Sequence, residues 1–309
     1  MKLSIVTTLY KSSVHINEFY SRISKEVTKI TDDYEIIFVD DGSPDDSLSK
    51  VIKLGEKDHH IKVIELSRNF GHHKAILTGL SHAKGNFVFL IDSDLEEDPE
   101  LLASFWNEIN KDKKFDVVYG IQENRKGGWF EKYSGELFYF IFNSICQIKI
   151  PKNLTTCRIT TQNYNQSLML HEEKELFLAT LWENTGYRSK PLIVKKKARD
   201  KSVYTFSKKI SLFENSISSS TDFPLKAIFY IGLIISILSV FFITYLIFKK
   251  IILDNAVLGW TSAMVSIFFI GGLLMTSLGI IGLYISKIYS ETKKRPRTII
   301  KKIYNFKDY

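Results

Sequence analysis

Two cysteines, Cys146 and Cys157, in 309 residues leave no disulfide framework to organise this chain. It also lacks a G-x-G-x-x-G after any strand-like run and has no G-x-x-x-x-G-K-[ST], which disfavours dinucleotide oxidoreductases and P-loop enzymes. No signal peptide is expected, since Met1-Lys2-Leu3 leads straight into a strand-like run. No basic face is evident in the first half, so a net charge of +8 does not point to nucleic acid. Charge itself is missing from two stretches, the 22 residues Ala227 to Phe248 and the 31 residues Ala256 to Ser286. As helices they would be about 33 Å and about 46 Å long, against a hydrocarbon core of about 30 Å. The first fits as a transmembrane span. The second must tilt, kink or begin in the interface, where Trp260 suits an anchor.

Only Lys249 to Asn255 separates the two runs, so a transmembrane hairpin with both outer flanks on one side is expected. Lys195, Lys196, Lys197, Arg199, Lys201, Lys208, Lys209 and Lys226 precede it; Lys287, Lys293, Lys294, Arg295, Arg297, Lys301 and Lys302 follow. The positive-inside rule makes that side cytoplasmic, with most of these cations facing anionic lipid. Gly271, Gly272, Gly279 and Gly282 permit close helix approach, within the hairpin or between subunits of a homo-oligomer.

What is present in the first half is acid at strand ends. Asp92-Ser93-Asp94 follows the apolar run Phe87 to Ile91, and on an extended chain Ser93 points away while Asp92 and Asp94 share a face. Such a pair suits Mg2+ or Mn2+ bridging phosphates; alternatively it opens a turn before the helix signalled by Asp98-Pro99-Glu100. A second apolar run, Ile36 to Val39, ends in Asp40-Asp41-Gly42-Ser43, where the alternative is capping of a helix over Asp45 to Gly55. If the strands are parallel, both pairs fall in the crevice beyond their carboxyl ends, where open α/β sheets bind ligands.

Strand-like runs at Leu3 to Thr8, Tyr34 to Asp40, Ile61 to Leu66, Asn86 to Asp92 and Phe115 to Tyr119 alternate with helix-like segments. Those include Val14 to Ile30, His72 to Lys84 and Glu100 to Lys111. The pattern predicts a mostly parallel sheet with helices on both faces. The aromatic segment within 127–148 reads as an interfacial helix or as a helix packed over the sheet. The expected division is a catalytic domain over 1–205, a juxtamembrane amphipathic segment over 206–223, two spans over 224–286 and a basic cytoplasmic tail over 287–309.

Together, Asp40-Asp41-Gly42-Ser43, Ser67-Arg68-Asn69-Phe70-Gly71-His72, Asp92-Ser93-Asp94-Leu95-Glu96 and the two-span tail resemble the family 2 glycosyltransferases that load sugars onto polyisoprenyl phosphates. The likeness covers nearly the whole chain and is similar to the bacterial undecaprenyl-phosphate glucosyltransferase and dolichyl-phosphate mannose synthase type. It implies a GT-A fold, a nucleotide-sugar donor in the acidic crevice and a polyprenyl phosphate acceptor at the inner membrane. Carried over by residue, Thr8, Tyr10, Asp40, Asp41 and Asp92 match the donor-nucleotide site, and Asp92 and Asp94 the metal site, with Glu96 as a further candidate ligand. Arg125 and Lys126, with Arg199 and Ser202, match acceptor-phosphate positions, and Asp94 and Arg125 are the catalytic candidates. Thr8, Lys11 and Ser12 depart from the first-strand motif, Gln122 replaces the first of two arginines, and Thr155-Thr156-Cys157-Arg158 lacks the family's aspartate. For His72 and His73, packing or capping is expected rather than metal ligation.

A missing aspartate matters for a sugar hydroxyl acceptor, which needs a general base, and less for a phosphate monoester, whose second pKa near about 6 leaves it anionic. The expected reaction is therefore inverting transfer of a hexose to a polyprenyl phosphate. Two competing readings are a membrane-anchored family 2 enzyme acting on a glycan or lipid hydroxyl, and a non-catalytic membrane scaffold.

Overall fold

The computed structural model describes residues 2–122, 139–140, 142–146, 149–173, 177–197, 221, 223–253 and 259–306, with some side chains of 236–268 outside the described set. Five expected strands form with small shifts: β1 (Leu3–Leu9), β2 (Tyr34–Asp40), β3 (Ile61–Leu66), β4 (Phe87–Leu90) and β5 (Val117–Gln122). Three more join them, β6 (Leu154–Thr161), β7 (Ser189–Val194) and β8 (Ile300–Asn305). The sheet has eight strands in the order β7-β5-β6-β4-β1-β2-β3-β8. The pairs β1–β2, β1–β4, β2–β3 and β5–β7 are parallel, while β4–β6, β5–β6 and β3–β8 are antiparallel. The sheet is thus mostly parallel but mixed.

Period-two alternation divides the core between two faces. Ile5, Ile36, Phe38 and Phe89 point to one side, packed under α1 (Ile16–Thr28), α2 (Ser47–Gly55) and α4 (Leu101–Lys111). Val6, Ile37, Val39, Val88 and Leu90 point to the other, under α3 (His72–His82), α5 (Gln162–Met169) and α6 (Leu178–Asn184). β1 and β2 are buried along their whole length because both faces are covered, the pattern of a parallel sheet centre. Pro191 is tolerated in β7 because that strand lies at the sheet edge.

Two long apolar helices follow, α7 (Phe223–Leu253) and α8 (Trp260–Thr292). Among the described residues, one stretch, Phe269–Thr292, is long and apolar enough to cross a membrane, and Phe223–Ile235 is a shorter apolar helix. Most of the connector between them, and the Trp260 side chain, lie outside the described residues. Tyr284 Oη donates to Thr221 O at 2.7 Å, holding α8 against the entry to α7. Gly271, Gly272, Gly279 and Gly282 have nothing within 4 Å of an added Cβ, so no close helix approach occurs at them among the described residues.

The segment expected as a basic tail departs from that reading. α8 runs on to Thr292, and 300–305 then returns as β8 against the β3 edge. Lys301 Nζ and Tyr304 Oη both donate to the buried Glu65 carboxylate, at 2.5 and 3.0 Å. Phe306 fills the space over Gly55, where even a Cβ would sit 2.1 Å from its ring. Lys301, counted above among lipid-facing cations, is spent on this contact. Of the aromatic segment 127–148, residues 139–140 and 142–145 are helical and Phe142 and Cys146 are buried with Ile150 against Phe177, as the packed reading expects; 127–138 and 206–220 lie outside the described residues.

Candidate functional site

Parallel register sets the site. β1 pairs Leu9 with Asp40 on β2, and Val6 with Leu90 on β4, so the chain leaves all three strands at one edge. Asp40 and Asp41 therefore stand on one side of Thr8, and Asp92 and Asp94 on the other. Ser93 turns inward, its Oγ donating to Thr8 O at 2.9 Å, which leaves Asp92 and Asp94 half-buried on the opposite face. β4 ends at Leu90 and the chain turns from Ser93, so the pair stands at the opening of a turn rather than on an extended strand. Leu95 adopts φ 59°, a left-handed conformation that costs a branched side chain on the order of 1 kcal/mol. It lies between the Asp92–Asp94 segment and Glu97.

His72, expected to pack or cap, reaches Thr8 and Asp92. Its Nδ1 lies 3.1 Å from Thr8 Oγ1 and its Nε2 3.5 Å from Asp92 Oδ1. This follows from its place at the first turn of α3, directly after the loop that Asp41 holds. Asp41 accepts from Phe70 N at 2.7 Å and Gly71 N at 3.0 Å. Gly42 makes that approach feasible: it sits at φ +63°, and a Cβ there would stand 2.6 Å from Arg68 C and Asn69 N. The Asp41 carboxylate is thus engaged with the protein's own loop. Asp40 accepts from Ser43 N at 3.3 Å through Oδ2, while its buried Oδ1 has no hydrogen-bond partner. Burial raises the pKa of both aspartates, against the hydrogen bonds from Ser43 to Asp40 and from Phe70 and Gly71 to Asp41. Tyr10 is about half exposed beside this edge.

Asp94 Oδ1 accepts from Glu96 N at 3.1 Å. The Glu96 carboxylate itself pairs with Lys196 Nζ at 2.9 Å, and its carbonyl accepts from Lys197 N at 2.7 Å. Lys196, also counted among lipid-facing cations, belongs to this site. Burial opposes its charge, but Glu96, Glu97 and Asp92 outweigh that and hold its pKa above the ordinary value.

The residue that sequence reasoning missed is Glu97. It is fully buried, and neither carboxylate oxygen has a hydrogen-bond partner. Burial, with the charge of Asp92 behind it, pushes its pKa up from 4.5 to about 7, although Thr155 and Lys196 pull the other way. The Thr155 hydroxyl is near enough to matter without reaching hydrogen-bond geometry. No sequence signal sets it apart from Glu96 and Asp98; its burial emerges only in the fold, where burial alternates from Ile91 to Pro99.

Arg158 is equally buried, donating to the carbonyls of Thr155 and Thr156 and lying over the Trp182 ring. Burial lowers its pKa to about 10. It holds β6 in place and does not reach the acidic edge by any of these contacts. Arg125, Lys126, Arg199 and Ser202 lie outside the described residues.

The edge as a whole gathers Asp40, Asp41, Asp92, Asp94 and Glu97, with Lys196 as a cation committed to Glu96. Orphaned carboxylate oxygens on Asp40 and Glu97, together with half-buried Asp92 and Asp94, fit a divalent cation by charge and by donor type. Among the described residues, three ligand atoms lie within 4.8 Å of one another only in Asp58, His59 and His60, which precede β3 at the opposite edge. A cation on Asp92 and Asp94 would therefore need ligands from a bound substrate, the usual arrangement for Mg2+ on phosphates.

Comparison with known proteins bears on the chemistry. The family described as "Glycosyl transferase family 2" matches residues 4–170. A Mycobacterium tuberculosis protein (strain CDC 1551 / Oshkosh) carrying a glycosyltransferase name is 44% identical over 98% of this chain and 89% of its own. The "Prophage bactoprenol glucosyl transferase homolog" of Escherichia coli (strain K12) is 30% identical over 98% of this chain and 99% of its own. Among solved structures, the mannosyltransferase PcManGT from Pyrobaculum calidifontis, in complex with GDP-Man and Mn2+, aligns with a TM-score of 0.48. That alignment is 16% identical and covers 65% of this chain and 58% of that one.

Proposed function

This chain belongs to glycosyl transferase family 2 and is a glycosyltransferase, and from that premise we propose that it moves a hexose from a nucleotide sugar to a polyprenyl phosphate, with inversion at the anomeric carbon. The observation that carries the reading is the acidic edge where β1, β2 and β4 end, with Asp92 and Asp94 half-buried there and no lysine or arginine paired to either among the described residues. The full-length relative named as a bactoprenol glucosyl transferase supports a polyprenyl phosphate acceptor, and the apolar helix Phe269–Thr292 supports a lipid one.

In this reading the domain has the GT-A fold, and Thr8, Tyr10 and Asp40 border the nucleoside while Asp92 and Asp94 hold Mg2+ or Mn2+. When bound, the divalent ion neutralises charge on the departing nucleoside diphosphate. Asp41 acts indirectly, by fixing the Arg68–Gly71 loop and with it His72, which orients Asp92. The acceptor phosphate arrives already ionised and needs positioning and charge compensation, for which Arg125, Lys126, Arg199 and Ser202 are the candidates. A phosphate oxygen attacks the anomeric carbon, and the bond to the diphosphate oxygen breaks as the new one forms. α7 and α8 form a two-span hairpin, with the catalytic domain on the cytoplasmic side of the inner membrane.

The test is a donor screen with the full chain in detergent plus polyprenyl phosphate, following release of nucleoside diphosphate. A product labile to mild acid, as a glycosyl phosphate is, is expected. An acid-resistant glycoside would move the assignment to a hydroxyl acceptor.

A further inference from the structure

On the outer face of α3 a cleft of about 380 Å³ opens between that helix, the end of α5 and the segment joining α8 to β8. Leu77 and Met169 give it an apolar floor, and Lys74 and Arg297 supply cationic walls. Neither is spent. Arg297 Nε donates to the Glu173 carbonyl at 3.2 Å, but its Nη2 is buried and has no hydrogen-bond partner among the described residues. Lys74 makes no ion pair among them.

The carboxylates nearest Arg297 are those of Glu172, Glu173 and Glu291, none of which lines the cleft. They do not make up for what burial removes: desolvation still holds the guanidinium below its ordinary pKa. A buried guanidinium edge with an unused donor is costly, and a tetrahedral oxyanion satisfies it with the geometry that Arg prefers.

Position narrows the ligand. Arg297 follows the last residue of α8, Thr292, by five residues, a reach of at most about 18 Å. If α8 crosses the bilayer as proposed above, the cleft lies within reach of the head-group layer. It is separate from the acidic edge, since its lining includes none of the aspartates there.

We propose that this cleft binds a phosphate ester through Arg297 and Lys74, with Leu77 and Met169 receiving the carbon chain next to the phosphate. The ligand chemistry is a phosphate bearing a short apolar stem, as on a phospholipid head group; free phosphate offers the same anion without the stem. Because α3 begins at His72, an occupied cleft braces the helix that carries the donor-side loop.

The experiment uses the full chain in nanodiscs of phosphatidylcholine, with and without phosphatidylglycerol, and separately in detergent with inorganic phosphate alone. Binding is read by native mass spectrometry and by thermal shift, and sugar transfer is measured in parallel. Phosphatidylglycerol is expected to bind the unaltered chain, with affinity reduced about tenfold or more in Arg297→Gln and in Lys74→Gln, and partly kept in Arg297→Lys. Inorganic phosphate binding equally well, with the same losses, supports the site and identifies free phosphate as its source. Equal affinities of all variants for both probes would overturn the proposal. Lys74→Gln carries the test if Arg297→Gln fails to fold, since Lys74 makes no ion pair among the described residues. A chain that transfers sugar but shows no such binding sinks this inference alone, leaving the assigned reaction intact.

Discussion

Replacing Glu97 with Gln should make the catalytic domain more stable at pH 8 and remove a pH dependence that the unaltered chain displays. In the unfolded chain this carboxyl titrates at its ordinary 4.5, and in the fold at about 7. Between those values the folded state binds the extra proton, so the Glu97 contribution is fully present below pH 4.5, falls as pH rises through 7, and is absent above it. At 1.36 kcal/mol per pH unit the interval amounts to about 3 kcal/mol. A neutral amide has no charge to desolvate, so Glu97→Gln should gain up to about 3 kcal/mol at pH 8 and little near pH 4.5. For a domain of this size that is a rise in melting temperature of about 6–12 °C at the higher pH. The assay is thermal unfolding of both proteins across pH 4.5 to 8.5 with a chelator present, so that no cation compensates the carboxylate. Parallel curves for the two proteins would refute the reasoning, because they would mean that Glu97 is either solvated or paired. Asp92→Asn supplies an internal check: losing the neighbouring charge should shrink the difference without abolishing it, since burial is the larger cause.

Asp94→Ala should lower sugar transfer about a thousandfold or more, as expected when several kcal/mol of leaving-group stabilisation is lost, while the melting temperature stays near that of the unaltered chain. Turnover that survives would remove the cation from Asp94. Gly42→Ala should cost more than about 2 kcal/mol, combining a left-handed φ with a Cβ 2.6 Å from the Arg68 backbone, and it should weaken donor binding by displacing the loop that Asp41 holds. Isothermal titration with the nucleoside diphosphate reads the second effect, and unchanged affinity would free the loop from any donor-side role. Arg125→Glu should raise KM for the polyprenyl phosphate far more than for the nucleotide sugar; equal effects on both would place Arg125 elsewhere than at the acceptor.

How much of this was legible in the sequence depended on which interactions were local. β2 and β4 announce themselves because burial on both faces makes them largely apolar runs that end in acid. β6 is missed since LTTCRITT carries a buried arginine, whose cost is offset in three dimensions by Thr155, Thr156, Tyr164, Trp182 and Glu183. β7 is missed because Pro191 argues against a strand unless the strand is known to be an edge. β8 reads as a basic tail because the partner of Lys301, Glu65, lies 236 positions away. The two acid pairs were found by their positions at strand ends, but their division of labour was not. Asp41 spends its charge on amides 29 and 30 positions downstream, and no local pattern forecasts that Gly42 lets the loop come so close. Glu97 sat unseen between Glu96 and Asp98, which look identical to it in composition and differ only in the direction they face.

The return of β8 to the sheet has a consequence for biogenesis. Ser67 N donates to Ile299 O at 2.9 Å, so the backbone that leads into the Arg68–Gly71 loop is secured by residues that follow both apolar helices in the chain. A ribosome releases β1 to β7 well before β8, with both apolar helices made in between. Until 300–305 emerge, the β3 edge stands open, with Glu65 lacking its lysine and tyrosine partners. Completion of the sheet in the sugar-handling half therefore waits on synthesis of both apolar helices.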